Sequence, residues 1–220
     1  MTRLRELAQA VAALEELGIV GDPADPKTKT RARLLRAATA LFQTRGYQHT
    51  SVDDIAREAG VAKGTVYVHF KNKQELLFHA VAEEKKGLVK RFEPLLSETL
   101  EPAERLQRYL ELALLSLQQS PLIAKLMSGD RELLLFLEEL GPELRAQVQR
   151  VQLASVLALL RGVAGFDRLS ARVREERALT LLGVLYTAGQ LLDERVRSGL
   201  SLERYARQLS HMLVRGIGAA

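Results

Sequence analysis

Leucine at helical spacing, cut by isolated Gly and Pro, is the feature that leaves this chain fewest choices. From about Glu93 onward the breakers are Pro94, Pro102, Pro121, Gly129, Gly141–Pro142, Gly165 and Gly199. They divide the chain into segments near 103–119, 122–128, 130–140, 142–164, 171–198 and 201–216. Apolar residues recurring every three to four positions mark the buried face of a helix. Leu is abundant, Val and Ile are modest, and Gly and Pro are sparse, so the expected fold class is all-α. Hydrophobic residues make up 47% of the 220 residues, enough to bury a core and to exclude disorder as the main state. That length allows one large domain or two small ones. There is no Cys, which excludes disulfides, thiolate metal sites and Cys nucleophiles.

The longest stretch without a charge runs from Ala178 to Leu192, too short and too polar for a membrane span. The basic start of the chain is broken by Glu6, Glu15 and Glu16, unlike a secretory signal. A cytoplasmic protein without membrane contact is therefore expected. Arg outnumbers Lys 23 to 9, and Asn72 is the only Asn. A thermophilic source and a GC-rich genome both produce that bias, and both stay open.

Charge is unevenly placed. Lys27 to Lys90 holds 13 Lys and Arg against 6 Asp and Glu, a net +7 within a chain whose net charge is +5. One basic segment joined to a near-neutral helical remainder points to a polyanion at one end only.

The N-terminal part divides further. Residues 1–26 read as an extension: a short amphipathic helix carrying Leu4, Leu7, Val11 and Leu14, then the breaker Gly21 to Pro26. Its stripe is expected to pack on the rest of the chain or on its own copy. Residues 27–45 form the next helix, with Leu34, Leu35, Ala38, Leu41 and Phe42 inward and Gly46 ending it. Thr50 or Ser51 then caps a second helix, with Asp53 and Asp54 in its first turn. Gly60 stops that helix, and a third runs from about Lys63 to Phe70. A fourth begins after Asn72. Residues 51–70 thus have the helix-turn-helix layout. The second helix of the pair is too polar for a core helix: it carries Lys63, Gly64, Thr65, Tyr67 and His69 outward.

The stretch TSVDDIAREAGVAKGTVYVHFKNKQELL, Thr50 to Leu77, resembles the DNA-binding domain of TetR-family transcriptional regulators, and Arg31 to Tyr47 resembles that family's first helix. The likeness covers about 60 residues and rests on Gly46-Tyr47, Thr50, Ile55-Ala56, Ala59-Gly60-Val61, Gly64, Tyr67, His69-Phe70 and Lys71-Asn72-Lys73. It implies a helix-turn-helix domain at 27–74 and a helical ligand-binding and dimerisation domain at 75–220. It further implies phosphate contacts from Thr50, Ser51, Tyr67, His69 and Lys73, with Lys63, Gly64 and Thr65 at the base-reading positions. Asp53 departs from members that place a base-reading Arg there, and a carboxylate does not bind phosphate.

The function expected from the resemblance is a homodimeric repressor on a pseudo-palindromic operator in double-stranded DNA, released by a small hydrophobic or amphipathic effector. A fatty acyl thioester is one candidate, since Arg residues around 145–177 suit an anionic headgroup. The alternative is a DNA-binding dimer with no inducer; a cavity of a few hundred Å³ separates the two. Candidate effector contacts are Tyr109, Gln152, Arg161, Tyr186 and Gln190, with Gln118 a further polar group in the same helices. Dimerisation is expected through 171–198 and 201–216, where Gly183 and Gly189 would admit a close neighbour. His49 and His79 read as surface residues. No metal site, cofactor or catalytic constellation is expected; the metalloprotease, nucleophile-elbow, phosphate-loop and dinucleotide motifs are missing.

Overall fold

Two glycines frame the N-terminal part of the molecule. Gly46 (φ +87°) ends helix α1, Pro26–Arg45, and its N–H bonds back to Phe42 O at 3.2 Å. Gly60 (φ +64°) ends helix α2, Val52–Glu58. There Gly60 N–H reaches Arg57 O at 3.1 Å and Val61 N–H reaches Ala56 O at 3.0 Å, the paired bonds of a Schellman motif. A residue with a Cβ is strained at these φ values. The computed structural model describes residues 26–96, 100–139 and 141–217, so the helix expected in residues 1–20 lies outside the described residues.

Helix α3, Lys63–His69, follows the turn, and α4, Lys73–Phe92, runs on from Asn72 as expected. Then come α5 (Pro102–Ser116), α6 (Pro121–Met127), α7 (Arg131–Glu139), α8 (Pro142–Leu160), α9 (Ala171–Tyr186) and α10 (Leu202–Ile217). Every regular element among the described residues is helical, the fold class expected. α10 lies along α5, α9 along α8, and α4 along α1.

The first core joins Leu34, Leu35, Ala38, Leu41 and Phe42 of α1 to Ile55 and Ala56 of α2 and Val66 of α3, with Phe70 behind them. Leu76, Leu77 and Ala80 of α4 complete it, together with Leu122 of α6 and Leu133 of α7. A domain boundary at 74 would cut through this core. The helix-turn-helix part leans on the first two turns of α4 and on the C-terminal helices.

Polar bonds fasten the same junction. Ser120, before Pro121, provides no side-chain cap for α6. The Glu84 carboxylate of α4 does so instead, accepting from Leu122 N at 3.0 Å and Ile123 N at 3.1 Å, and from the Gln43 amide of α1 at 2.8 Å. A carboxylate at a helix N-terminus satisfies free N–H groups and suits the dipole. In return, Lys125 Nζ of α6 donates to Gln43 O at 3.1 Å near the C-terminus of α1. Glu132 of α7 accepts from Gln48 N at 3.1 Å.

Two expectations are corrected here. Residues 171–198 are not one helix: α9 ends at Tyr186, and 188–192 form a 3₁₀ turn. Gly189 in that turn packs its backbone against the end of α6. A Cβ there would lie 2.4 Å from Ala124 O and 2.6 Å from Ser128 N. The close neighbour of Gly189 is thus α6 of the same chain. Gly183 has no heavy atom within 4 Å of its Cβ position among the described residues.

His79 is the second correction. It is 6% exposed, between the Phe70 ring (centroids 5.5 Å) and the Phe78 ring (5.6 Å). Its Nδ1 has no hydrogen-bond partner. Burial, reinforced by nearby Arg31 and opposed by Glu75, lowers its pKa to about 4. The folded chain therefore resists the proton that the unfolded chain accepts near its ordinary value. Stability from this group is complete above about pH 6.5 and is lost as pH falls toward 4. Acidification across that window is expected to cost about 3 kcal/mol through His79 alone. Chemical denaturation of wild type and His79→Phe at pH 7 and pH 4.5 checks this; an equal pH dependence in both would contradict it.

Candidate nucleic-acid interface

Helix α3 has seven residues, and only Val66 among them is buried. Lys63, Gly64, Tyr67 and Val68 are exposed; Thr65 and His69 are half-buried. Tyr67 is 51% and Val68 74% exposed, the latter an outward apolar side chain that polarity patterning does not single out. So short a helix cannot hold its own shape in water. Val66, the Schellman turn before it and the Phe70 anchor after it hold it from three sides.

Helix α2 begins with a capping box. Ser51 Oγ accepts from Asp54 N at 3.1 Å, and Asp54 Oδ2 accepts from Ser51 N at 3.1 Å. The Ser51 hydroxyl bond and its backbone bond, with Arg57 and Arg45 nearby, hold Asp54 below the usual carboxylate range. Ser51 stays exposed, but its hydroxyl already caps the helix. Thr50 is 1% exposed and donates its hydroxyl to Gly46 O at 2.8 Å. Its side chain closes the loop after α1 and does not face solvent. That corrects its expected phosphate role.

Lys73 also has internal duties. Its Nζ donates to Tyr47 O at 2.9 Å and lies 4.2 Å from the centre of the Tyr47 ring. Burial lowers its pKa, against a smaller raising effect of Glu132. Lys73 therefore clamps the loop before α2 onto the start of α4. On the other side of this fold, the Arg31 guanidinium sits 4.6 Å from the centre of the Phe70 ring.

Lys63, the first residue of α3, is not a lone lysine. Its Nζ is 2.7 Å from Asp53 Oδ2 on α2, with both side chains more than half exposed. The hydrogen bond to Asp53 raises the Lys63 pKa. Nothing in sequence spacing shows this pair, because ten residues and a turn separate its members.

The expected effector contacts do not converge. Tyr186 OH donates to Gln152 Oε1, joining α9 to α8. Tyr109 of α5 packs its tilted ring on Phe92 (centroids 4.5 Å) and against the cluster shared by α8 and α9, and burial pushes its phenol up. Arg161 ends α8, and Gln190 lies in the 3₁₀ turn, both exposed. An open cleft of about 280 Å³ lies elsewhere, lined by Leu117, Gln118, Pro121, Ala124, Lys125, Ser128, Gly189 and Leu192. None of the five lines it; Gln118 does. Among the described residues no group of three or more His, Asp or Glu is placed to hold a metal, and no helix is long and apolar enough to cross a membrane.

A rigid helix-turn-helix with an outward second helix, joined to a helical C-terminal part, defines the class. Residues 34–80 match the profile of bacterial regulatory proteins of the tetR family. The chain is 36% identical over 83 residues to the HTH-type transcriptional regulator LmrA of Bacillus subtilis, covering 37% of this chain and 44% of that one. The chain thus spans less than half the length of that curated relative. The solved structure of the TetR family transcriptional regulator PfmR from Thermus thermophilus superposes with a TM-score of 0.62 at 26% identity, over 84% of this chain and 96% of that one. The fatty acid degradation regulator FadR from Bacillus halodurans shares the fold with a TM-score of 0.63 at 20% identity, over 89% and 98%. The helix-turn-helix part thus matches the TetR family, and the chain shares the fold of a solved TetR-family regulator.

Gly64 gives a test of which way α3 faces. A Cβ built there meets nothing within 4 Å. Gly64→Ala is expected to raise stability by about 0.5–1 kcal/mol, because Gly weakens a helix relative to Ala. It is also expected to weaken DNA binding, because the added methyl blocks close approach of the backbone to the groove. Thermal melting and equilibrium binding on one preparation check both. Unchanged binding would contradict the facing.

Proposed function

We propose that the chain is a sequence-specific DNA-binding transcriptional regulator, a homodimer in the cytoplasm whose two α3 helices enter successive major grooves of a pseudo-palindromic operator. Helix-turn-helix dimers bind half-sites about 34–36 Å apart, one turn of the duplex. The single observation that carries the reading is the outward face of α3. A helix that buries only Val66 and leaves Lys63, Gly64, Tyr67 and Val68 exposed presents a face that, the Lys63–Asp53 pair aside, no other element among the described residues covers. The excess of basic residues over this segment supplies the attraction to phosphate. Ser51, Tyr67 and His69 remain the phosphate-facing candidates, and Lys63 and Thr65 the readers.

Dimerisation is assigned to α9 and α10. The intramolecular clusters absorb Leu182, Leu185, Leu209 and Leu213. Leu179, Tyr186 and Met212 remain 50%, 46% and 70% exposed, and Gly183 stands open beside them. A self-complementary contact of these two helices would cover that stripe.

A small-molecule effector is favoured over an inducer-free dimer by the 280 Å³ cleft beside α6. Leu117, Pro121, Ala124 and Leu192 offer an apolar wall, and Lys125 offers a cation. That chemistry suits an amphipathic anion, the fatty acyl thioester class included. Lys125 also holds the end of α1. A ligand that drew Lys125 into the cleft would loosen the helix-turn-helix part, and would shift binding only by its differential affinity for the two arrangements.

Selection of genomic fragments on the purified full chain tests the reading. An enriched palindrome is the expected result, with Lys63→Ala weakening its binding roughly tenfold to a hundredfold and relaxing preference at one position per half-site. Absence of any enriched sequence, or equal loss on operator and random DNA, would overturn it. Lys73→Ala is a poor probe of phosphate contact, since it also breaks the Tyr47 clamp.

A further inference from the structure

Asp53 takes no part in the capping box that starts α2. The capping box at the start of that helix is made by Ser51 and Asp54, and Asp54 already places a negative charge in the first turn. An exposed ion pair such as Asp53–Lys63 contributes little to stability. Yet its two charged atoms are held 2.7 Å apart on the surface that carries Gly64 and Tyr67. An acid there also lowers attraction to phosphate, which is a cost to any merely electrostatic DNA binder.

We propose that Asp53 and Lys63 form one reading unit for a G·C base pair in each half-site. The inference rests on the DNA-binding reading given above and names what the site recognises. A lysine ammonium has three donors, and Asp53 takes one, so two remain. The Asp53 carboxylate keeps spare lone pairs. The unit therefore presents donors and an acceptor side by side. In the major groove a G·C pair presents guanine N7 and O6 as acceptors and then cytosine N4–H as a donor. Guanine O6 and cytosine N4 are bonded to one another within the pair, so they lie about 2.9 Å apart. The Nζ–Oδ2 spacing of 2.7 Å matches that separation. Nζ faces O6 and N7, and Oδ faces the outward N4–H.

The same pair of charges can be laid on an A·T pair only in part. There Nζ would face thymine O4 and Oδ adenine N6, but the second lysine donor would meet the thymine methyl where guanine offers N7. Repulsion between Asp53 and phosphate acts in the same direction, because it disfavours every register in which Lys63 binds the backbone. The unit exchanges some general affinity for selectivity.

The test uses the full chain and the duplex enriched from genomic fragments. Each cytosine of a half-site is replaced in turn by N4-methylcytosine, which keeps its pairing N–H and blocks the outward one. At one position wild type is expected to lose about tenfold in affinity, the value of a hydrogen bond to a charged group. At that position Asp53→Ala is expected to be insensitive to the methyl group, within twofold. Replacing the partner guanine by 7-deazaguanine is expected to weaken wild type and to leave Lys63→Ala unmoved. Because the Ser51–Asp54 cap is untouched, Asp53→Ala should melt with wild type. The proposal is overturned if no cytosine shows the effect or if Asp53→Ala stays as sensitive as wild type. It is also overturned if Asp53→Ala gains equally on operator and random DNA with its preferred sequence unchanged, since Asp53 then only screens Lys63. Failure to enrich any sequence would strike at the DNA-binding reading itself, and the pair would fall with it.

Discussion

Val66 is the only buried side chain of α3, and the outward face of that helix depends on it. A seven-residue helix with one anchor has no stability of its own. It stays in place because Val66 enters a core already built by Leu34, Ala38, Phe42, Ile55 and Leu76, and because Phe70 pins its far end. The remaining side chains are thereby left for a partner. The core in turn relies on Leu122 and Leu133 from the C-terminal helices, so the outward face of α3 and the rest of the bundle are one packing problem.

That dependence gives a physical route between the two halves. Glu84 replaces the missing side-chain cap of α6 and binds Gln43 of α1 at the same time. Lys125 crosses in the other direction, from α6 to the end of α1. Lys125 itself lines the 280 Å³ cleft, of which α6 forms a wall. A change in the position of α6 reaches α1 without passing through flexible chain. Gly189 adds to the same point, since its backbone touches the last turn of α6 where no larger residue fits.

Much of this was legible in the sequence, for local reasons. Gly46 and Gly60 end helices because of their own φ, and Ser51 and Asp54 start one by bonds within four residues. The outward polarity of Lys63, Gly64 and Tyr67 is a property of a seven-residue window. What sequence could not show depended on distant packing. Thr50 follows the rules of a cap, yet its hydroxyl is taken by Gly46 O. His79 sits one residue after the inward-facing Phe78, and helical period alone could not say that a second wall, Phe70, would cover it. Beyond the break at Tyr186, Gly189 meets the end of α6, a contact that no spacing within 171–198 reveals. The expected effector residues are polar groups on apolar helices, and that pattern cannot say which helices separate to form a cleft. The Asp53–Lys63 pair needs the turn geometry that brings two helix starts together.

The central claim is that α3 reads DNA in the major groove through Lys63. Protection of guanine N7 from methylation tests it directly, because that atom lies on the floor of the major groove. On the enriched operator the account predicts protected guanines in both half-sites, about one helical turn apart. It further predicts that Lys63→Ala restores their reactivity while the backbone footprint persists at higher protein concentration. A footprint without N7 protection, or protection unchanged in Lys63→Ala, would contradict it.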